Sequence, residues 1–146
     1  MVDDPRSRIK VYLDTWLLNA NLTKDNGSTQ VLFKVMYANP DYPLILEFQG
    51  SNNLDLVYCV GTPDSTALPV SVGYIENMPV TIWCIDKTGI TGTKLRWKAE
   101  AEFRRVVETK PTGSLFNYER LGDNEKNLGS TVLYSVEYVL RYKRYA

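Results

Sequence analysis

The stretch VLYSVEYVLRY, residues 132–142, alternates apolar and polar side chains more regularly than any other part of the chain. Six large side chains share one parity, namely Val132, Tyr134, Val136, Tyr138, Leu140 and Tyr142. Ser135, Glu137 and Arg141 have the other parity. Because successive side chains of a strand point to opposite faces of a sheet, this pattern predicts a long strand with one buried face.

An amphipathic helix is predicted upstream of this strand. Its apolar stripe comprises Leu95, Ala99, Phe103, Val106 and Val107. Thr93 is a residue type that caps helices, and residues 111–113, Pro-Thr-Gly, end the pattern. Arg96 and Glu100, like Glu100 and Arg104, are spaced i,i+4, which is typical of a solvated helix face.

Four further strands are predicted from the remaining apolar runs. Residues 31–37 and 44–48 alternate with period two, and a third strand follows at 56–60, so these three favour an antiparallel meander. Residues 80–85, VTIWCI, are almost continuously apolar. That character indicates a strand covered on both faces, at the centre of its sheet.

The other segments complete the order of elements. Asp4 and Pro5 open a predicted helix that runs to about residue 18. Its apolar positions are Ile9, Tyr12, Leu13, Trp16 and Leu17. Residues 61–66 and 122–129 have the polar, glycine-containing composition of loops. Residues 67–77 are interpreted as a partly extended segment because proline and glycine interrupt them.

These elements predict one α+β domain over residues 1–146, a length that suits a single domain. We expect an antiparallel or mixed sheet of about four to six strands with two helices packed on one face, in the order α-β-β-β-loop-β-α-β. The expected core includes Leu13, Trp16, Phe103, Val107, Val136 and Tyr138.

Composition narrows the possible functions. The 17 basic and 17 acidic residues cancel, so no overall basic field attracts nucleic acid or an anionic membrane. No apolar stretch approaches the length of a membrane span, and residues 1–6 lack the layout of a signal peptide, so the protein is expected to be intracellular when made. The sequence has no histidine, which excludes Ser-His-Asp and Cys-His sites. We assign no catalytic residue, metal ligand or cofactor.

Three features of the sequence are candidates for chemical sites. Cys59 and Cys84 lie in strand-like runs and are expected to be buried thiols, with a disulfide as the main alternative. Residues 89–94, GITGTK, lie between a strand and a helix, but their glycine spacing differs from that of a phosphate loop. Asp86 is the only carboxylate at a strand end, and one acid is weak evidence for hydrolytic chemistry.

Aromatic and basic residues interleave from Tyr138 to Tyr145. Such a pattern also occurs where single-stranded nucleic acid stacks on a protein. Because the net charge is zero, we favour core packing for one face and a subunit interface for the remainder, since interfaces are enriched in tyrosine and arginine.

The strand PVTIWCID (79–86), the helix LRWKAEAEFRRVV (95–107) and the closing strand 132–142 together resemble the tail terminator, or tail-completion, proteins of long-tailed bacteriophages. That family is similar in having a V-x-I/V-W strand, an Ala- and Glu-rich helix and a final strand that runs to the C-terminus. The resemblance covers nearly the whole chain.

The resemblance implies a structural virion protein without catalytic residues. Members of the family form hexameric rings that cap the tail tube and join it to the head. By that resemblance the implied partners are further copies of this chain, six in a ring, together with the tail tube protein and head–tail connector proteins. The implied location is the tail or neck of a virion, after assembly in the host cytoplasm.

The segment before the central strand supplies candidates for a subunit interface. Apolar side chains recur there although proline and glycine disfavour a regular strand, so a small monomer would leave them exposed. The candidates are Leu68, Val70, Tyr74, Ile75 and Met78. The alternative function is a small non-enzymatic module that binds a ligand or peptide along the sheet or the Gly61–Asn77 loop, and an enzyme ranks third.

Overall fold

The computed structural model describes residues 5–37, 48–49, 53–67, 73–110, 115–127, 129 and 131–145. Within these ranges the chain forms two α-helices, a short 3₁₀ turn at Asn19–Asn21 and six strands. The elements in chain order are α1 (Pro5–Trp16), β1 (Phe33–Tyr37), β2 (Leu56–Val60), β3 (Asp64–Ala67), β4 (Gly73–Ile85), α2 (Gly92–Thr109), β5 (Leu115–Asn127) and β6 (Val132–Tyr145). The α+β class predicted from the sequence is confirmed.

The six strands form one mixed sheet in the order β1-β2-β4-β6-β5, and β3 pairs with β4. β1 is parallel to β2, and all other neighbours are antiparallel. β4 pairs with β6 along its whole length, from Gly73 opposite Tyr145 to Ile85 opposite Leu133. The strand predicted at 80–85 is therefore central, as expected, and begins earlier than predicted.

The predicted meander is wrong. β1 and β2 lie side by side and parallel, with Phe33 opposite Leu56 and Tyr37 opposite Val60. Parallel neighbours need a crossover connection and cannot be joined by a tight turn. The strand predicted at 44–48 falls outside the described residues except for Phe48, which has helical backbone and is fully buried.

The described parts of the segments predicted as a loop (61–66) and as a partly extended segment (67–77) include regular strand pairs. β3 overlaps the end of the predicted loop and the first residue of the predicted extended segment, and it pairs with residues 74–77 of β4. Pro79 is tolerated inside β4 because β2 ends with Val60 opposite Val80 and β3 starts with Asp64 opposite Asn77, so neither strand pairs with Pro79. The Pro79 carbonyl accepts a hydrogen bond from Gly61 N at 2.9 Å, so it points towards the junction between β2 and β3. The nitrogen of Pro79, which has no hydrogen to donate, therefore also faces this junction and leaves no strand partner unsatisfied.

The polar segment 122–129 was predicted as a loop, but residues up to 127 belong to β5. β5 is the outermost strand beside β6 in the described sheet, so its polar side chains reach solvent. α2 begins at Gly92, one residue before the predicted cap. A Cβ at Gly92 would lie 2.3 Å from Cδ2 of Tyr134, so this close approach of helix to sheet requires glycine.

Both helices pack against the same face of the sheet. Phe103 of α2 and Val136 and Tyr138 of β6 are fully buried there, together with Leu13 of α1, and Val107 is also buried. This confirms five of the six predicted core residues.

The prediction for Trp16 is wrong, because its side chain is 40% exposed. Leu13 and Leu17 occupy the core positions on either side of it. The indole instead lies beneath the ammonium group of Lys110, with Nζ 4.6 Å from the ring centroid. A cation over an aromatic face is favourable at such a partly exposed site.

The two cysteines lie on opposite faces of the sheet. Cys84 belongs to the helix-side core, and Cys59 belongs to a smaller cluster on the second face with Phe48 and Val57. The two thiols are buried and are not joined by a disulfide, as expected. Burial raises the pKa of the Cys84 thiol far above its ordinary value.

Glu102 fastens the end of α1 to α2. Its side chain is 1% exposed, and it accepts hydrogen bonds from Leu18 N at 2.6 Å, Asn21 Nδ2 at 2.9 Å and Arg105 Nε at 2.6 Å. Burial raises the pKa of this carboxyl, but the three hydrogen bonds outweigh burial and hold the pKa below its ordinary value.

Replacing Glu102 by alanine should lower the free energy of unfolding by about 2–4 kcal/mol, because buried donors lose their acceptor. Urea unfolding at pH 7 measures the change. Glu125→Ala, at an exposed position of β5, is the matched control and should change stability by less than about 0.5 kcal/mol. Equal effects of the two substitutions would contradict a fastening role for Glu102.

The burial of both thiols predicts a second outcome. In native buffer, neither Cys59 nor Cys84 should react with a thiol reagent such as 5,5′-dithiobis(2-nitrobenzoate), and both should react once urea unfolds the chain, because the thiolate is the reactive form. The absorbance of the released chromophore counts the reacting thiols. Fast reaction of either thiol in the folded protein would refute the assignment.

Candidate interaction surfaces

The five residues predicted to form a subunit interface differ in how the structure places them. Leu68 and Val70 lie outside the described residues. Tyr74 is placed by its backbone, opposite Ala67 of β3 and Arg144 of β6. Ile75 is half-buried on β4. Met78 is fully buried in the helix-side core, so it cannot contact a second chain, and its assignment to an interface is wrong.

A groove between α2 and β5 is a surface that the sequence did not reveal. It encloses about 380 Å³ and is lined by Trp97, Glu100, Ala101, Arg104 and Arg120. Trp97 is 72% exposed, the highest value among the large apolar residues in the described ranges. One feature of the sequence indicates this exposure. Trp97 lies off the apolar stripe of its helix, where a large aromatic side chain cannot reach the core.

Glu100 forms the floor of this groove and is 4% exposed. Its carboxylate accepts hydrogen bonds from Arg120 Nε at 2.7 Å and from the Tyr138 hydroxyl at 2.7 Å. Burial raises the pKa of Glu100, but the bonds from Arg120 and Tyr138 outweigh burial, so the pKa lies below its ordinary value. The carboxylate is therefore charged at neutral pH and connects α2 to two strands.

The solvated face predicted from charge spacing on α2 is only partly correct. Arg96 and Glu100 are buried, and only Arg104 of the three is exposed. Arg96 Nη2 lies 3.6 Å from Asp123 Oδ2, and Arg120 donates to the same carboxylate at 2.7 Å. The network thus joins the buried face of α2 to the outer strand β5.

A second, larger cleft lies at the end of the sheet where β4 leads into α2. It encloses about 600 Å³, and its lining includes Lys24, Asp55, Asp86 and Lys87. The Lys87 ammonium group donates to Leu54 O at 2.7 Å and forms an ion pair with Asp55 Oδ1 at 3.1 Å. These contacts fix the start of β2 to the end of β4.

Asp86 and the glycine-containing turn after it have structural roles. Asp86 Oδ1 accepts the Gly92 N–H at 2.6 Å, and its Oδ2 accepts the Tyr134 hydroxyl at 2.8 Å. Thr91 N donates to Asp25 Oδ1 at 3.0 Å. Carboxylates of the chain thus already occupy amides at the start of α2 that a phosphate would need. The segment forms a strand-to-helix connection, with Gly89 at φ +78°.

The outer side of α1 carries apolar side chains in solvent. Val11 is 60% exposed, and Leu18, just beyond the helix, is 50% exposed. Asp14 lies between them in sequence and pairs with Lys10 at 2.7 Å in an exposed i,i+4 contact. Exposed pairs of this kind contribute only about 0.3–0.5 kcal/mol, so Asp14 remains able to form another contact.

The aromatic residues of β6 do not form a stacking surface in the described part of the strand. Tyr138 and Tyr142 are buried in the helix-side core. Arg141 donates to Glu119 of β5 at 2.8 Å. Only residues on the other face of β6 could therefore belong to a subunit interface.

Acidification should weaken the network around Glu100. Because its pKa is lowered by folding, its contribution to stability is present above the unfolded pKa of about 4.3 and is lost as pH falls through the lower folded value. Glu100→Gln should therefore lower the unfolding free energy at pH 7 and flatten its decline between about pH 5 and pH 3. Urea unfolding at several pH values measures both effects, and Glu125→Gln should retain the wild-type profile.

Two further observations concern the described part of the chain. No group of three or more His, Cys, Asp or Glu side chains in those ranges is arranged to hold a metal ion. Neither described helix is long and apolar enough to cross a membrane.

No protein-family model matches the chain, and no curated protein sequence is significantly similar to it.

Proposed function

We propose that this chain is a structural, non-enzymatic protein that assembles into a ring, as tail terminator proteins of long-tailed bacteriophages do. In this proposal the ring caps a tail tube and joins it to the connector on the head side. Support comes first from the succession of a helix, a central strand, the Ala- and Glu-rich α2 and a long closing strand.

The observation that carries the proposal is the exposed groove between α2 and β5. Trp97 is 72% exposed there, beside Arg104 and the outer strand of the described sheet. Tryptophan and arginine are enriched among the residues that dominate protein interfaces. A large aromatic side chain on a groove wall is favourable when a partner covers it.

Two unlike surfaces lie at opposite ends of the helix layer, which favours a ring. α1 packs on β1 and β2, whereas α2 packs on β4 and β6 and its groove faces β5. Contact between unlike surfaces of successive copies is head-to-tail, and such contacts close into a ring when the rotation between copies allows. A two-fold dimer would instead use one surface twice.

The remaining parts of the proposal follow from the ring. A ring of six copies would present six identical surfaces to a tail tube of matching symmetry, and its other rim would meet head–tail connector proteins. The protein would then reside in the tail or neck of the virion after assembly in the host cytoplasm.

A small ligand- or peptide-binding module is the second candidate, and the cleft of about 600 Å³ at the end of the sheet favours it. Lys87 and Asp86 in that cleft already hold neighbouring segments of the chain. The cleft therefore offers fewer uncommitted polar groups than its lining suggests, and we rank this function below the ring.

Light scattering after size exclusion tests the proposal. We expect a mass near 100 kDa, six times the 16.7 kDa of one chain, and rings with a central opening in negative-stain electron micrographs. A mass of one chain over a hundredfold range of concentration would refute the ring and favour the ligand-binding module. A closed oligomer without an opening would refute the tube-capping role.

A further inference from the structure

Asn26 is the only asparagine of the chain that glycine follows directly. It lies at the tip of a polar hairpin, residues 23–30, which is closed by a bridge between Thr23 and Gln30. All residues of the tip, from 25 to 30, are exposed. Glycine has no side chain to hinder its amide nitrogen, so Gly27 is able to react with the side chain that precedes it, whereas larger residues follow the other asparagines.

The reaction between the two residues is a cyclisation. Once the Gly27 amide has lost its proton, its nitrogen attacks Cγ of Asn26 and a new C–N bond forms. The bond from Cγ to Nδ2 breaks, and the released group takes up a proton and leaves as ammonia. Water then opens the cyclic imide at either of its carbonyls, which leaves aspartate or isoaspartate at position 26. Both products carry a new negative charge, and isoaspartate adds a carbon atom to the main chain.

The closed hairpin holds both reacting groups away from this step. The Gly27 N–H donates to Lys24 O at 3.0 Å. Asn26 Oδ1 accepts hydrogen bonds from Ser28 N and Thr29 N, both at 2.9 Å, and Asn26 Nδ2 donates to Thr29 Oγ1 at 2.7 Å. The Gly27 nitrogen must leave Lys24, and the carboxamide must turn away from its own partners, before Cγ can be attacked. The reaction therefore requires the hairpin tip to open.

Asp25 fastens the same tip to the start of α2. Its N–H donates to Gly89 O at 3.0 Å, and its carboxylate accepts hydrogen bonds from Thr91 N at 3.0 Å and Thr91 Oγ1 at 2.8 Å. The bonds from Thr91 hold the pKa of Asp25 below its ordinary value, so this carboxylate is charged at neutral pH. Because Asp25 directly precedes Asn26, this contact opposes opening of the tip.

We propose that Asn26 is a site of spontaneous deamidation, and that the Asp25–Thr91 contact controls its rate. The reaction is slow while the contact holds the tip closed and proceeds when the tip is released. Isoaspartate changes the path of the main chain beside Asp25, so the modified hairpin holds Thr91 less well. Opening and modification therefore promote each other, and modified protein accumulates with age. This chemistry does not require the ring.

Mass spectrometry of peptides from aged protein tests the site. Wild type is kept either folded or in urea, in the same mildly alkaline buffer, and deamidation at position 26 is followed with time. The folded chain should react about tenfold or more slowly than the unfolded chain, because its tip must first open. Asn124, which is exposed and precedes Glu125, is the internal comparison and should react more slowly than Asn26 in urea.

A pair of matched variants tests the contact. Thr91→Val removes the hydroxyl that donates to Asp25 and should speed deamidation of the folded chain by roughly threefold to tenfold, as loss of one hydrogen bond predicts. Thr93→Val, the same substitution two residues further along the chain, leaves that hydroxyl in place and should keep the wild-type rate. In urea both variants should react as wild type does, and thermal unfolding checks that both are folded.

Each outcome decides one part of the proposal. Equal rates in folded and unfolded wild type would refute control by the hairpin. A folded Thr91→Val chain that reacts no faster than Thr93→Val would refute the role of the Asp25–Thr91 contact. Hydrogen exchange of the Thr91 amide should be faster in the deamidated fraction of aged wild type, and unchanged exchange would refute the effect of modification on that contact.

Discussion

The longest ladder in the sheet joins β4 to β6 over thirteen paired positions, and the other elements are attached to it. It sets Tyr138 opposite Val80, and both face the helices. The ring of Phe103 lies 4.8 Å from that of Tyr138, and the Tyr138 hydroxyl reaches Glu100, so α2 is located by apolar and polar contacts to one strand. The groove beside α2 exists because β5 then continues the sheet past the edge of the helix.

Two buried carboxylates hold α2 from opposite sides. Glu100 binds Arg120 of β5, whereas Glu102 binds the backbone of Leu18 at the end of α1. Burying a carboxylate is unfavourable unless it is paired and hydrogen-bonded, and both residues meet that condition. The consequence is a fixed angle between the outer side of α1 and the groove beside β5. A closed ring needs such an angle, because the rotation between successive copies repeats at every contact.

The local pattern of the sequence predicted those elements that place apolar side chains in the core. β6 and residues 80–85 followed from their apolar positions, and Phe103 from helical spacing. The parallel pairing of β1 with β2 could not be predicted, because alternation reports which face is buried and not which strand lies alongside. Residues 122–127 of β5 have the polar composition of a loop because an outer strand can be polar. The sequence pattern therefore did not indicate that β5 supplies Arg120 as the partner of the buried Glu100. Trp97 lies in the predicted helix 95–107, but its exposure could not be predicted, because it depends on where β5 ends the sheet beside that helix.

The chemistry of β5 bears on how the groove can be covered. A flat outer strand with a continuous row of backbone groups invites another strand to pair with it. β5 is interrupted by register shifts at Leu115/Asn117 and at Arg120/Gly122, and it carries charged side chains such as Glu119 and Lys126. Bulges and charges of this kind discourage pairing of strand edges. A partner at this end of the molecule is therefore better accommodated by side chains along α2 than by strand addition to β5.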